Sequence, residues 1–331
     1  MLHSSLRMII IACTILCCAL TSYPQSAMNR QNNLIIPPPL TTGARIALIS
    51  PAGRAKDANV TEAMKVLEAQ GWKPYLTPHA MGSSGTFSGT ADERLSDFRQ
   101  AWLDESTKAI ICTRGGYGAV HLLDSIDALA LRAHPKWLVG FSDISALHSL
   151  LSSQGIASVH GPMAKHISAR HGDNPDFKAL VNVLTGQGVD YTFESHRLNR
   201  KGSATGALCG GNLSVIANLI GTPYDAIQPG SILLIEDIAE PVYKIERILY
   251  QLRMSGIMER LGGLIVGEFT DYRPDVNHES MESMIAKAVS GYDFPVAYGI
   301  PVGHDEKNLP LIISAPLTLT VTTDGTRITQ K

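Results

Sequence analysis

The chain has 331 residues, 44% of them apolar and only 18% charged, enough to bury a large core and more than one domain ordinarily holds. A formal net charge of −2 leaves no basic footprint, which argues against electrostatic capture of nucleic acid and favours a small-molecule or peptide substrate. Five cysteines make no disulfide framework, because Cys13, Cys17 and Cys18 fall in the N-terminal leader and only Cys112 and Cys209 remain, each in the setting of a small buried hydrophobe.

Residues 1–27 read as a signal peptide, with Arg7, an apolar stretch over 8–20 and a polar segment over 21–27. The stretch is too short to span a bilayer. The expectation is therefore an exported, periplasmic protein without a stable membrane span; a cytoplasmic one is the alternative if translation starts at Met28. After Pro37-Pro38-Pro39, strand and helix patterns alternate: a strand at 45–49, a helix over 60–70, a strand at 74–76, a helix over 91–105, and strands at 109–112 and 137–139, with a helix running to 154. That alternation predicts a parallel, doubly wound α/β sheet over 36–165. Residues 166–204 lack a strong periodic core signal and are assigned to a linker. A second α/β domain over 205–322 has helices at 213–220, 245–254 and 280–290, strands at 231–235, 264–266 and 296–298, and a terminal strand at 317–321.

Chemistry concentrates where strands end. Gly140-Phe141-Ser142-Asp143-Ile144-Ser145 runs from an apolar strand into a helix, the setting of a nucleophile elbow, in which a sharp turn exposes the serine and the helix start offers N–H groups to an oxyanion. Ser142 or Asp143 could instead simply cap the helix, and the last glycine of Gly-x-Ser-x-Gly is replaced by Ser145. Arg114-Gly115-Gly116-Tyr117-Gly118 also follows a strand. Its glycines allow close backbone approach to a ligand, but the spacing matches neither phosphate-binding glycine motif. Glu236-Asp237 ends a strand where sites of open parallel sheets collect, and His304 sits in the loop after 296–298. His160, also at a strand end, competes with it for the role of base. His278-Glu279 lacks the second histidine of a zinc-binding helix, so no metal is expected.

Several blocks together bring a resemblance: Ile46-Ala47-Leu48-Ile49-Ser50-Pro51-Ala52-Gly53, Arg114-Gly115-Gly116-Tyr117-Gly118, the Ser142 block, His160-Gly161-Pro162-Met163, Gly210-Gly211-Asn212-Leu213, Gly221-Thr222-Pro223-Tyr224, Glu236-Asp237, Glu240-Pro241-Val242-Tyr243-Lys244-Ile245-Glu246-Arg247 and Gly303-His304. In content and order they resemble the serine LD-carboxypeptidase (muramoyltetrapeptide carboxypeptidase) family, which includes a microcin-immunity branch. The resemblance implies a Rossmann-like N-terminal domain and a C-terminal domain with a swivelling barrel-like sheet. It also implies a homodimer without cofactor or metal, acting on a murein tetrapeptide or muropeptide. Ser142 would be the nucleophile, His304 the base and Glu236 the residue orienting the imidazole. The N–H of Asp143 and one from Gly115-Gly116 would hold the oxyanion, and Arg114 would either bind the substrate carboxylate or anchor its own turn. Phe141, Ser145 and Ser314 depart from the family pattern, where tyrosine, threonine and glycine are expected. An immunity-type peptidase cleaving an acyl-adenylate-like toxin and a non-catalytic nucleotide-binding module remain as alternatives.

Overall fold

The structure, a computed structural model, describes residues 34–331. The expected signal peptide and its three cysteines lie outside the described residues. Continuous apolar runs form the first sheet: β1 (Arg45–Ile49), β2 (Lys73–Leu76), β3 (Thr107–Cys112), β4 (Trp137–Gly140) and β5 (Ser158–His160) are parallel, in the order β5-β4-β3-β1-β2. In β1, Ile46 and Leu48 pack on one face while Ala47 and Ile49 pack on the other, so the strand is apolar throughout because both faces are covered. The helices α1 (Asp57–Ala69), α2 (Ala91–Leu103), α3 (Ala128–Ala133) and α4 (Ser145–Ser153) connect these strands. A Thr90–Glu93 capping box starts α2.

The linker expected at 166–204 is not a bare connection. After α5 (Ala164–Ser168) it carries α6 (Pro175–Leu184) and β6 (Val189–Glu194), and it enters β7 (Gly202–Asn212). The signals were local ones: Asn174 caps α6 with Pro175 in its first turn, the helix buries Phe177, Leu180, Val183 and Leu184, and Val189, Tyr191 and Phe193 alternate along β6.

The second sheet adds β8 (Ile232–Ile238), β9 (Gly263–Thr270), β10 (Val296–Ala297), β12 (Pro316–Val321) and β13 (Gly325–Gln330), in the order β10-β9-β8-β7-β12-β13-β6. It is mixed: β7 to β10 run parallel, whereas β12, β13 and β6 pair antiparallel. The helices α7 (Leu213–Ala217), α8 (Val242–Met254) and α9 (Met281–Ala288) complete this half. The strand expected to be last, β12, is followed by β13. The strand β11 (Leu311–Ile313) leaves the second half to pair antiparallel with β5, so the first sheet is completed by residues beyond His304. Ser314, just after it, adopts φ +71°, and its hydroxyl pairs with Ser152 at 2.6 Å. Cys112 and Cys209 are buried free thiols.

Candidate active site

Where the sequence left an elbow and a helix cap as alternatives, the backbone takes the elbow. β4 ends at Gly140, Phe141 is extended, and Ser142 takes φ +64° at the start of a 3₁₀ turn (Ser142–Ile144) that continues into α4. A left-handed conformation at a non-glycine residue costs of order 1–3 kcal/mol and persists only where its surroundings impose it. Those surroundings are specific. The buried His148 of α4 meets the Gly140 carbonyl through Nε2 and the Ser158 hydroxyl through Nδ1, both at 2.8 Å. Ser145 accepts the Asn212 N–H at 3.0 Å, which ties the elbow helix to the end of β7. Helix capping does not describe Ser142, whose hydroxyl faces a histidine, nor Asp143, whose carboxylate accepts the Ala119 N–H at 2.8 Å. Burial pushes the Asp143 carboxyl up from its ordinary value.

Ser142, His304 and Glu236 converge although they lie on three separate segments. His304 Nε2 is 2.8 Å from Ser142 Oγ, and its Nδ1 is 2.6 Å from Glu236 Oε2. An ionised carboxylate can only accept, so Nδ1 carries the proton and donates to Glu236, leaving Nε2 to accept from the serine hydroxyl. Glu236, at the C-terminal end of β8, is fully buried. Burial opposes its charged form, but the imidazoles of His160 and His304 outweigh it and hold the carboxyl below the usual range. Its neighbour Asp237 turns the other way, accepting from Asn212 Nδ2 at 3.0 Å and the Ser214 N–H at 2.8 Å at the start of α7.

The loop bearing His304 is held from both sides. Gly303 has φ +137°, and a Cβ there would stand 3.0 Å from Glu236 Oε2, so only glycine lets the loop lie against the carboxylate. The Gly303 N–H donates to Asn308 Oδ1 at 3.0 Å, and the Asn308 N–H donates to the buried Asp176 of α6 at 2.8 Å. Asp176 and Asn308 were not identified from sequence: they are 132 residues apart and carry no local motif. Asn212, by contrast, has the signal of an N-cap after two glycines.

Gly115 approaches the serine so closely that a Cβ would stand 2.7 Å from Ser142 Cβ and 3.3 Å from the Asp143 nitrogen. Gly116 beside it has φ +108°. Arg114 borders the same cleft, but its Nη1 donates to the Arg54 carbonyl at 2.9 Å, which supplies the turn-anchoring role. His160 does not touch Ser142; its Nε2 lies 3.9 Å from Glu236 Oε1. Over Ser142 and His304 opens a cleft of about 350 Å³, floored by Phe141 and Met163. It shares Lys165, His166, His304 and Asp305 with an adjoining hollow of about 520 Å³. Among the described residues, no group of three or more histidine, cysteine, aspartate or glutamate side chains is arranged to hold a metal, and no helix is long and apolar enough to cross a membrane.

Residues 46–161 match the LD-carboxypeptidase N-terminal domain and residues 205–319 the LD-carboxypeptidase C-terminal domain. The murein tetrapeptide carboxypeptidase of Pseudomonas aeruginosa is 34% identical over 274 residues, covering 80% of this chain and 89% of that protein. The crystal structure of muramoyltetrapeptide carboxypeptidase from Oxalobacter formigenes superposes with a TM-score of 0.79 at 27% identity, covering 86% of this chain and 98% of the other. The microcin C7 self immunity protein, solved with aspartyl sulfamoyl adenosine, reaches the same TM-score at 21% identity over 90% of this chain and 99% of its own, a likeness of fold alone. The chain thus belongs to the LD-carboxypeptidase family.

Proposed function

We propose that this protein is a serine carboxypeptidase that hydrolyses the L,D peptide bond of murein tetrapeptides and releases the terminal D-alanine. The observation that carries the reading is the hydrogen-bonded chain from Ser142 through His304 to buried Glu236, at 2.8 and 2.6 Å, which meets the geometry a serine nucleophile and its base require. The 34%-identical murein tetrapeptide carboxypeptidase supports the substrate class.

In this reading His304 takes the Ser142 proton as the hydroxyl attacks the carbonyl, and the ionised Glu236 stabilises the imidazolium. Asp143 is the second residue of the 3₁₀ turn, where N–H groups lack partners within the turn, and Gly115 brings a second stretch of backbone beside the serine. The Asp143 N–H and one from Gly115-Gly116 hold the tetrahedral oxyanion. The imidazolium then protonates the departing D-alanine amine, and water releases the acyl group by the same steps in reverse. Lys165, at the rim of the cleft, supplies positive charge for the substrate carboxylate, while Arg114 anchors its turn on the Arg54 carbonyl. The nucleophile follows β4 of the first sheet, whereas Glu236 lies on β8 of the second and His304 in the loop after β10.

Mass spectrometry of a defined muropeptide tests this directly. Loss of one alanine from the tetrapeptide, abolished in Ser142→Ala, is expected. Shortening at another bond, or none, would sink the substrate assignment. The immunity-type reading needs an aromatic platform for the nucleobase of the toxin, and Trp72, Trp102 and Trp137 are all buried in the core, so no loop tryptophan offers one. The proposal extends to an exported homodimer, with a mature N-terminus near Met28 in an extracytoplasmic fraction and twice the chain mass in solution. A cytosolic monomer that keeps Met1 would reject that extension.

A further inference from the structure

A second histidine lies buried beside the proposed triad. His160, the last residue of β5, is wholly buried, and neither ring nitrogen has a hydrogen-bond partner. Oε1 of Glu236 is buried and equally unpartnered. The two face each other, with His160 Nε2 3.9 Å from Oε1. A buried polar group left without a partner costs of order 1–3 kcal/mol, and an uncompensated carboxylate oxygen costs more. Here two such groups on different strands point at one another, and a relative movement of about 1 Å would bring them into hydrogen-bond contact.

We propose that His160 is a positioning residue for Glu236: by donating Nε2–H to Oε1, it fixes the rotation of the carboxylate so that Oε2 stays on His304 Nδ1. The acid is then held from both ends, as His160–Glu236–His304–Ser142. The surrounding packing leaves the imidazole few other orientations. Phe141 lies against it with ring centroids 5.8 Å apart and against His304 at 4.8 Å, while the His148 ring is 6.3 Å away. The groups that can titrate around the pair are His304, His148 on α4, His166 on α5, Asp237 beside Glu236 on β8, and Glu268 on β9, which flanks Gly303 opposite Glu236. His148 is already committed to Gly140 and Ser158, and Asp237 to α7. Among these, only His304 shares a hydrogen bond with Glu236, and it does so through the other oxygen.

The inference rests on the serine–histidine–glutamate reading, so its test must separate the two. The rate at which a fluorophosphonate labels Ser142 depends on activation of the serine but not on the peptide substrate. Labelling would be followed from pH 5 to 9 in the wild type, Ser142→Ala, His160→Phe and His160→Gln, with circular dichroism confirming that each is folded. Phenylalanine fills the space without a donor, whereas the Gln amide keeps an N–H near the position of Nε2. The expected result is labelling slowed at least tenfold in His160→Phe. Its acid limb should move to higher pH, because a carboxylate that has lost a donor draws a proton onto the Glu236–His304 pair more strongly. In His160→Gln both rate and limb should return most of the way. Equal rates and limbs in all His160 variants and the wild type, or equal slowing in both variants with an unmoved limb, would overturn the role and leave only packing. Failure of the wild type to label, or labelling of Ser142→Ala, would instead overturn the triad itself.

Discussion

At the scale of single residues, the adjacent acids Glu236 and Asp237 divide two tasks. Successive strand residues face opposite sides, so one strand end can aim one carboxylate at an imidazole and the next at the start of a helix. The Asp237 carboxyl is pushed up by burial, partly offset by the hydrogen bonds it accepts around α7. Glu236→Gln keeps the shape but removes the charge facing the imidazolium. Turnover of a murein tetrapeptide is expected to fall about 10³ to 10⁴-fold, by analogy with the triad aspartate of serine proteases. Asp237→Asn keeps an acceptor for α7 and points away from the cleft, so it should lose less than about tenfold in kcat. Steady-state kinetics of the two variants side by side decide the matter: loss in Asp237→Asn with near-normal turnover in Glu236→Gln would reverse the facing. This division was legible in the sequence because period-two alternation is a local rule. That His160 lies beside the acid, and not the serine, was not legible, since β5 and β8 belong to different sheets.

At the scale of elements, the sequence patterns located β1 to β4 and the helices α1, α2 and α4 to within a few residues, because continuous apolar runs and amphipathic spacings are strong local signals, but they missed the short α3 and gave β5 no bounds. They failed where pairing is long-range. Three-residue β11 has no pattern of its own and exists because β5 offers an unpaired edge. The segment over 166–204 read as linker because its polar composition masks the apolar faces of α6 and β6. Yet α6 bears on the site, since Asp176 accepts the Asn308 N–H and Asn308 in turn holds the Gly303 N–H beside His304. Asp176→Ala would leave a buried N–H without its acceptor, at a cost of about 1–3 kcal/mol, and would free the loop that carries the imidazole. Misplacing the base by even 1 Å can cost about 100-fold in rate. Asp176→Ala is therefore expected to lower kcat by about 10 to 100-fold with a much smaller change in KM, whereas Asp176→Asn, which retains an oxygen acceptor, should stay within a few-fold. Equal kinetics for the two would show that the loop does not depend on this anchor.

Across the whole molecule, the elbow and its cleft are built around neutral, buried histidines, and that choice couples folding to acidity. Burial pushes His148 down to about 3, and it pushes His166 down as well. His148 is wholly buried, with one nitrogen on the Gly140 carbonyl and one on the Ser158 hydroxyl, so a second proton on this ring would place a charge out of reach of water in the folded protein. In the unfolded chain the same ring titrates near 6.5. Above that pH neither state is protonated and the stability is fully present. As the pH falls from 6.5 toward 3 the unfolded state takes up a proton that the folded state refuses, so stability is lost at up to about 1.4 kcal/mol per pH unit from this residue alone. Between pH 6.5 and 4.5 that amounts to about 2–3 kcal/mol. His148→Asn removes the titrating ring and keeps a short polar side chain. It should be less stable than the wild type at pH 7.5, since the bridge from Gly140 to Ser158 is weakened, but its stability should fall by about one proton's worth less on acidification. Urea unfolding at pH 7.5, 6.0 and 4.5 measures both terms for each protein. Parallel pH dependences in the two would mean that His148 is protonated in the folded state and that the elbow tolerates a charged ring beneath Ser142.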